Sequence, residues 1–309
     1  MVTSSTEQNN SLRHTYLQKL ITYLLFRPSL IINLSKDDHF ECLGITLNAN
    51  EKKWILEIDS RRWSIDQERR HRSIEGALFH CPVTGIALSS FLNSIKHIYK
   101  NHSNTLSFLL SFFQSVIFEE CIRDGKYIVD SLIEWIFNEL ASLNLPSKYS
   151  IHKKNLTEII KVEQAVIVGK RKPYTVIKSD TVLDKNHIFR LSDLHSIVTS
   201  YEGVVEAYLA LHQKALSITQ TGDRTPLLLG NIDLSILPIN YHQTQSILIE
   251  NQESGISVES LSKSLAEVLL LAQSEITLEA LLNHLIQSDV DPTQAEELIS
   301  TWMEDGLIL

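Results

Sequence analysis

The amino-acid sequence predicts a helix-dominated α+β protein, and three observations carry that expectation. Glycine and proline are scarce, at 10 and 7 of 309 residues, roughly half their usual share, which favours long elements over tight turns. Apolar residues recur at helical spacing through most of the first 145 positions and again over 191–218. Short β-branched runs interrupt that pattern and read as strands. The expected organisation is a disordered tail over 1–11, a helical N-terminal domain with a β-hairpin over 12–147, a small mixed α/β section over 148–226 and a compact module over 227–309. With 43% hydrophobic and 21% charged residues, the chain has the apolar content for a sizeable core.

Ser11 is placed to cap a helix over 12–26, where Leu12, Tyr16, Leu17, Leu20, Ile21, Leu24 and Leu25 form one face. Pro28 ends it, because a proline disfavours helix in the residue before it and has no N–H to donate. Residues 40–48 and 54–59 read as two strands around the turn chemistry of Asn48, Ala49, Asn50 and Glu51. Helical spacing then fills 65–145, broken at Pro82 and Gly85 and again near Gly125. Residues 106–118 form the longest apolar stretch, too short for a membrane span of about 20 residues, and predict a buried core helix. Residues 143–147 look like a domain exit. Residues 157–169 and 173–183 are β-branched and flank Gly169-Lys170-Arg171-Lys172, which predicts a strand pair. The segment 219–226 (TQTGDRTP) is the clearest loop and the expected boundary.

The last stretch predicts short strands at 232–237 and 245–252, then three helices. The first carries Leu261, Leu265, Val268, Leu269 and Ala272; the second starts at Thr277 and carries Leu278, Leu281, Leu282, Leu285 and Ile286. The third is capped by Asp291 with Pro292 next and Gln294 at the third position. It buries Ala295, Leu298, Ile299 and Trp302 and stops at Gly306, where a left-handed residue is wanted. Leu307-Ile308-Leu309 is expected to form a terminal strand or to tuck into the core.

This order of strand pair, three short helices and an L-I-x-x-W-x-x-x-G-L ending resembles a winged helix. Within that class it is similar to the modules that bind leader peptides in ribosomal-peptide (RiPP) biosynthesis, the family of the pyrroloquinoline quinone peptide chaperone. The matching segments are Ser246-Ile247-Leu248-Ile249-Glu250, residues 265–271, residues 276–282, and Glu304-Asp305-Gly306-Leu307-Ile308. The resemblance covers about a quarter of the chain and contains no catalytic residue. It implies that an extended peptide adds to a strand edge and lies against a helix. The candidate edge is Ser246, Ile247, Leu248, Ile249 and Glu250; the candidate groove wall is the third helix at Thr293, Glu297 and Thr301. The implied function is that of an accessory protein presenting a peptide or protein partner to a modifying enzyme. The alternative is an enzyme, non-haem iron among the options, whose C-terminal module positions substrate or mediates dimerisation. A homo-oligomer fits either.

Charge sharpens the choice of partner. Residues 241–309 hold 12 acidic residues and one basic residue, Lys263. A DNA-reading module needs Lys and Arg to neutralise phosphates, so this one is expected not to bind DNA, and to favour a basic peptide. Two basic clusters lie elsewhere, at Arg61, Arg62, Arg69, Arg70 and Arg72 and across Lys148–Lys172, and internal ion pairs are their expected partners.

Motifs for chemistry are thin. His39-Phe40-Glu41 has the H-x-E form of iron sites, with His152, His187 or His195 as a third ligand, but a three-residue match is common by chance. His71, His80, Cys81, Cys42 and Cys121 lack the paired spacing of a zinc site. No phosphate loop, nucleophile elbow or H-E-x-x-H helix is present, so neither metal nor cofactor is predicted. Three cysteines make a disulfide framework implausible and fit a reducing cytoplasm. The polar start lacks the basic-then-apolar pattern of a signal peptide.

Overall fold

The computed structural model describes residues 3–37, 40–64, 67–98, 104–172, 188–220, 225–228, 230–288 and 290–309. The fold is helix-dominated α+β, with sheets of two or three strands. It forms two compact units, Met1–Lys153 with Ala215–Ile232, and Lys154–Lys214 with Asp233–Leu309. The chain therefore crosses between units three times.

The first unit opens with α1 (Thr3–Phe26), which starts well before residue 12, and α2 (Ser29–Lys36). Strands β1 (Glu41–Cys42) and β2 (Ile45–Thr46) pair across Leu43 and Gly44. Both turn residues have positive φ, 58° and 70°, as a two-residue hairpin loop requires. The expected second strand over 54–59 is instead the helix α3 (Ala49–Glu57). Asn48 accepts from the Glu51 N–H, and the Glu51 carboxylate accepts from the Asn48 N–H. That capping box starts a helix where turn composition alone suggested a hairpin.

Helices α4 (Ser60–Ser64), α5 (Gln67–His80) and α6 (Pro82–Ile95) follow, with Pro82 in the first turn of α6. Every residue from Val83 to Leu92 is buried. The buried serines of α6 serve the returning segment: Ser89 Oγ accepts from Gly230 N at 2.7 Å, and Ser90 Oγ accepts from Ile232 N at 3.0 Å. The expected single helix over 106–118 is broken at Ser115 into α7 (Thr105–Leu110), a 3₁₀ turn and α8 (Val116–Asp124). Ser115 Oγ caps α8 by accepting from Phe118 N, a local bond that competes with helix continuation. Gly125 ends α8 at φ 70°, and α9 (Ile128–Ser142) completes the set. Phe26, Phe112, Phe113, Phe118 and Trp135 pack ring against ring in the core. Among the described residues, no single helix is long and apolar enough to cross a membrane.

The second unit begins on α10 (Ser150–Lys170), where a strand had been expected over 157–169. Leu156, Ile159, Ile160, Glu163, Val166 and Ile167 are buried at helical spacing, so packing overrides the β-branched preference. The expected partner strand over 173–183 lies outside the described residues. Next come β3 (Ile188–Phe189), β4 (His195–Glu202) and α11 (Val204–Thr219). The helical reading of 191–218 thus fails for its first part, because Ser196, Val198 and Ser200 pair with the strand that follows. The 232–237 strand is a 3₁₀ turn at Leu234–Ile236.

β5 (Asn240–Gln252) is the middle of an antiparallel sheet in the order β4-β5-β6, with β6 at Gly255–Ser260. One face meets α10: a Cβ on Gly169 would lie 3.4 Å from Ile249 and 3.6 Å from Ile256. The other face, through Leu248 and Ile197, joins the core of α12 (Lys263–Ala272), α13 (Leu278–Gln287) and α14 (Pro292–Glu304). Ser262, Thr277 and Asp291 cap these three helices. Asp291 accepts from Thr293 N rather than sharing a box with Gln294. β7 (Ile276–Thr277) pairs with β3, and Leu307-Ile308-Leu309 bonds to residues 190–192.

Candidate functional site

The register of the sheet shows which strand edges are available. In an antiparallel pair, directly opposed residues alternate between hydrogen-bonded and non-bonded positions. Leu261 N donates to Ser246 O, and Asn251 N donates to Leu194 O, each to the residue directly opposite by the strand register. Alternation then assigns Ser246, Leu248, Glu250 and Gln252 to β6, and Gln245, Ile247, Ile249 and Asn251 to β4.

The expected binding edge, Ser246 to Glu250, is therefore no edge. It lies mid-sheet with bonds to both neighbours, because β4 and β6, neither legible as a strand in the sequence, flank it. Thr293, Glu297 and Thr301 are exposed on α14 as expected, but none of them is in the lining of the cavity beside β5.

A groove exists one step along β5. β5 spans 13 residues and β6 only 6, and β6 ends at Ser260, opposite Ile247. The first part of β5 thus overhangs its neighbour. A cavity of about 440 Å³ opens there, between Gln243–Ser246 with Thr199 and Glu202 on one side and α12 on the other. The α12 wall is Lys263, Ala266, Glu267 and Leu270, one face at helical spacing. By alternation the N–H and C=O of Thr244 point toward the side that β6 has vacated, and outside the sheet's own ladder no backbone hydrogen bond involves them among the described residues. Gln245 Oε1, also in the lining, is buried without a hydrogen-bond partner. Leu270 offers an exposed apolar surface. Lys263 and Glu267 are only loosely paired, at 3.9 Å, so Glu202 and Glu267 leave the groove acidic.

Of the residues expected from sequence, only Ser246 lines this groove. Thr199, Glu202, Gln243, Thr244, Gln245, Leu261, Lys263, Ala266, Glu267 and Leu270 were missed as site residues. One signal was present: the polar run Asn240-Tyr241-His242-Gln243-Thr244-Gln245-Ser246 precedes the apolar Ile247-Leu248-Ile249, marking a strand whose first part is uncovered.

Other polar clusters bond internally. Glu158 accepts from Ser200 Oγ at 2.8 Å and from Lys161 Nζ at 2.6 Å. Asn155 donates to Leu234 O and accepts from the Tyr241 hydroxyl. Lys154 Nζ sits 3.5 Å from the Tyr241 ring centre, and burial pushes the Tyr241 hydroxyl pKa well up. Lys172 donates to His195 O and Ser196 Oγ, both at 3.0 Å. Arg61 pairs with Asp59 at 2.9 Å. Much of the basic clusters is thus spent on the protein's own acceptors.

Among the described residues no group of three His, Cys, Asp or Glu side chains converges on a metal position. His39 and His187 lie outside the described residues. Glu41 is exposed on β1, and Cys81 is buried with Sγ on Ala77 O. His195 is buried, its Nε2 3.5 Å from Glu250. Burial holds its pKa below the ordinary value, with Lys172 adding to the shift and Glu250 opposing it. A folded-state imidazole that resists protonation gives stability present above about pH 6.5 and lost as pH falls below it. Urea midpoints should fall between about pH 7 and 5, and His195→Gln should flatten that part of the profile; an unchanged slope would remove His195 as its source.

No family model matches the sequence, and no curated protein matches it.

Proposed function

We propose that this protein is a binding protein that captures an extended, basic peptide in the groove between β5 and α12. The observation that carries this reading is the groove itself: an overhanging strand with unspent main-chain groups at Thr244, facing a helix across a cavity of about 440 Å³. Strand addition at Thr244 supplies affinity through main-chain hydrogen bonds, and pockets beside it supply selectivity. Glu202 and Glu267 line the cavity and favour Lys or Arg side chains.

The order α12, β7, α13, α14 and a terminal β-bridge at Ile308 supports a winged-helix-like module, in which residues 188–192 bridge β7 and 307–309. With the sequence resemblance, this favours presentation of a precursor peptide to a modifying enzyme, in the manner of RiPP biosynthesis. The helix in contact is then the first of the three, not the third.

The test uses a fluorescein-labelled twelve-residue probe alternating Val or Thr with Lys or Arg, read by anisotropy against the full chain. Binding should weaken about tenfold or more between low and high salt, since exposed charges are screened beyond about 8 Å at physiological ionic strength. Thr244→Pro removes only the groove-facing donor. It should cost roughly tenfold or more in affinity, the worth of one or two hydrogen bonds, with an unchanged circular dichroism spectrum. Glu267→Lys should weaken the basic probe as well. Binding that ignores all three changes would overturn the reading.

A further inference from the structure

We infer that β6 is a self-association edge, through which two copies of this chain join their sheets about a two-fold axis at Val258. The inference is independent of the peptide groove, which uses β5 and α12.

The bonding pattern of the β5–β6 hairpin leads to it. Gly255, Ser257 and Glu259 spend their main-chain groups on β5, so those of Ile256, Val258 and Ser260 point away from the sheet. Outside the sheet's own ladder, no backbone hydrogen bond involves these outward groups among the described residues. An edge of this kind is a template for another strand, and proteins blunt such edges with Pro, Lys, bulges or covering segments. The opposite edge, β4, is blunted in two ways. Lys172 takes the outward carbonyl of His195, and the register slips between Tyr201 and Glu202. β6 carries Gly-Ile-Ser-Val-Glu-Ser, with no Pro, no Lys and no bulge.

The partner that this edge fits is itself. An antiparallel pairing centred on Val258 opposes Val258 to Val258 of the second copy and Ile256 to Ser260. These are the three outward-facing residues, and the pairing yields about six main-chain hydrogen bonds. Ser257 then stands opposite Glu259 of the second copy. Within one chain the Ser257 hydroxyl already donates to Glu259 at 2.6 Å, so the same chemistry repeats across the axis. A centre at Glu259 would instead oppose two carboxylates directly, which is unfavourable. The two copies each carry a net charge of −9, so their long-range repulsion falls as salt rises. Self-association therefore strengthens with salt, opposite in sign to capture of a basic peptide.

Sedimentation velocity on the full chain tests this across concentration and salt. The expected result is a reversible monomer–dimer equilibrium that shifts toward dimer at high salt. Val258→Pro removes the outward donor and a largely buried side chain but no main-chain bond to β5, and should give a monomer whose circular dichroism spectrum remains that of the folded chain. Ser257→Glu places carboxylates opposite each other at two positions and should also give a monomer, without touching the backbone. Ser257→Lys should tighten the dimer roughly tenfold, a change worth about 1.4 kcal/mol. A parent chain that stays monomeric up to about 100 μM, where a dimer of about micromolar Kd would be almost fully formed, would overturn the inference. So would a dimer that both monomerising variants leave intact.

Discussion

Gly203→Ala is expected to abolish stable folding of the second unit. Gly203 joins β4 to α11 at φ +84°, where an L side chain is strained by roughly 1–2 kcal/mol. Strain is the smaller part. A Cβ at this position would lie 1.7 Å from Pro238 O and 2.7 Å from Pro238 C. Neither is the end of a flexible side chain. Relief requires moving Pro238 and Ile239, which lead directly into β5, so the sheet register is what gives way. The expected loss exceeds about 4 kcal/mol, the range reserved for severe structural conflict. Gly255→Ala is the matched control, since Gly255 also has positive φ but nothing within 4 Å of a Cβ. Thermal unfolding of the two variants should differ by more than about 10 °C, from a several-kcal/mol gap at 2–8 °C for each kcal/mol. A Gly203→Ala chain melting beside the parent would show that residues 203 and 238 do not meet.

Ile249→Pro is expected to unfold the same unit, while Thr244→Pro and Val258→Pro leave it folded. All three substitutions put proline into the same sheet. They differ first in where the lost N–H points, and second in burial, since Ile249 and Val258 are buried and Thr244 is exposed. The alternation directs Ile249 N–H at β4 from within the middle strand, where proline is essentially never tolerated. The substitution also removes a fully buried side chain packed over Gly169, and buried Ile truncations alone cost about 2–5 kcal/mol. The N–H groups of Thr244 and Val258 point outward, so each variant loses a bond to a partner rather than one within the fold. Far-ultraviolet circular dichroism and urea unfolding separate the classes. A folded Ile249→Pro chain would mean that residues 246–250 are an edge after all, and would restore them as the binding strand.

What the sequence made legible follows from how locally each signal is encoded. The three C-terminal helices, with caps at Ser262, Thr277 and Asp291 and the stop at Gly306, rest on contacts within a few residues. Such contacts are written in the sequence itself. So are the break at Pro82 and the left-handed residue Gly125. Helix α3 was also written locally, in the Asn48–Glu51 capping box, but turn composition at the same residues pointed elsewhere.

By itself, the sequence determined the dominance of helix, the apolar content of the core and the acidity of residues 241–309. The tertiary structure decided everything that depends on long-range pairing. It made 195–202 a strand, because β5 supplies hydrogen bonds some 50 residues later. It made 157–169 a helix, because burial against the sheet outweighs a β-branched preference. It placed Ser246 to Glu250 mid-sheet and opened the groove beside Thr244, because β5 is longer than β6. Which edge of a strand is bonded depends on neighbours far away in the chain, and no local pattern encodes that.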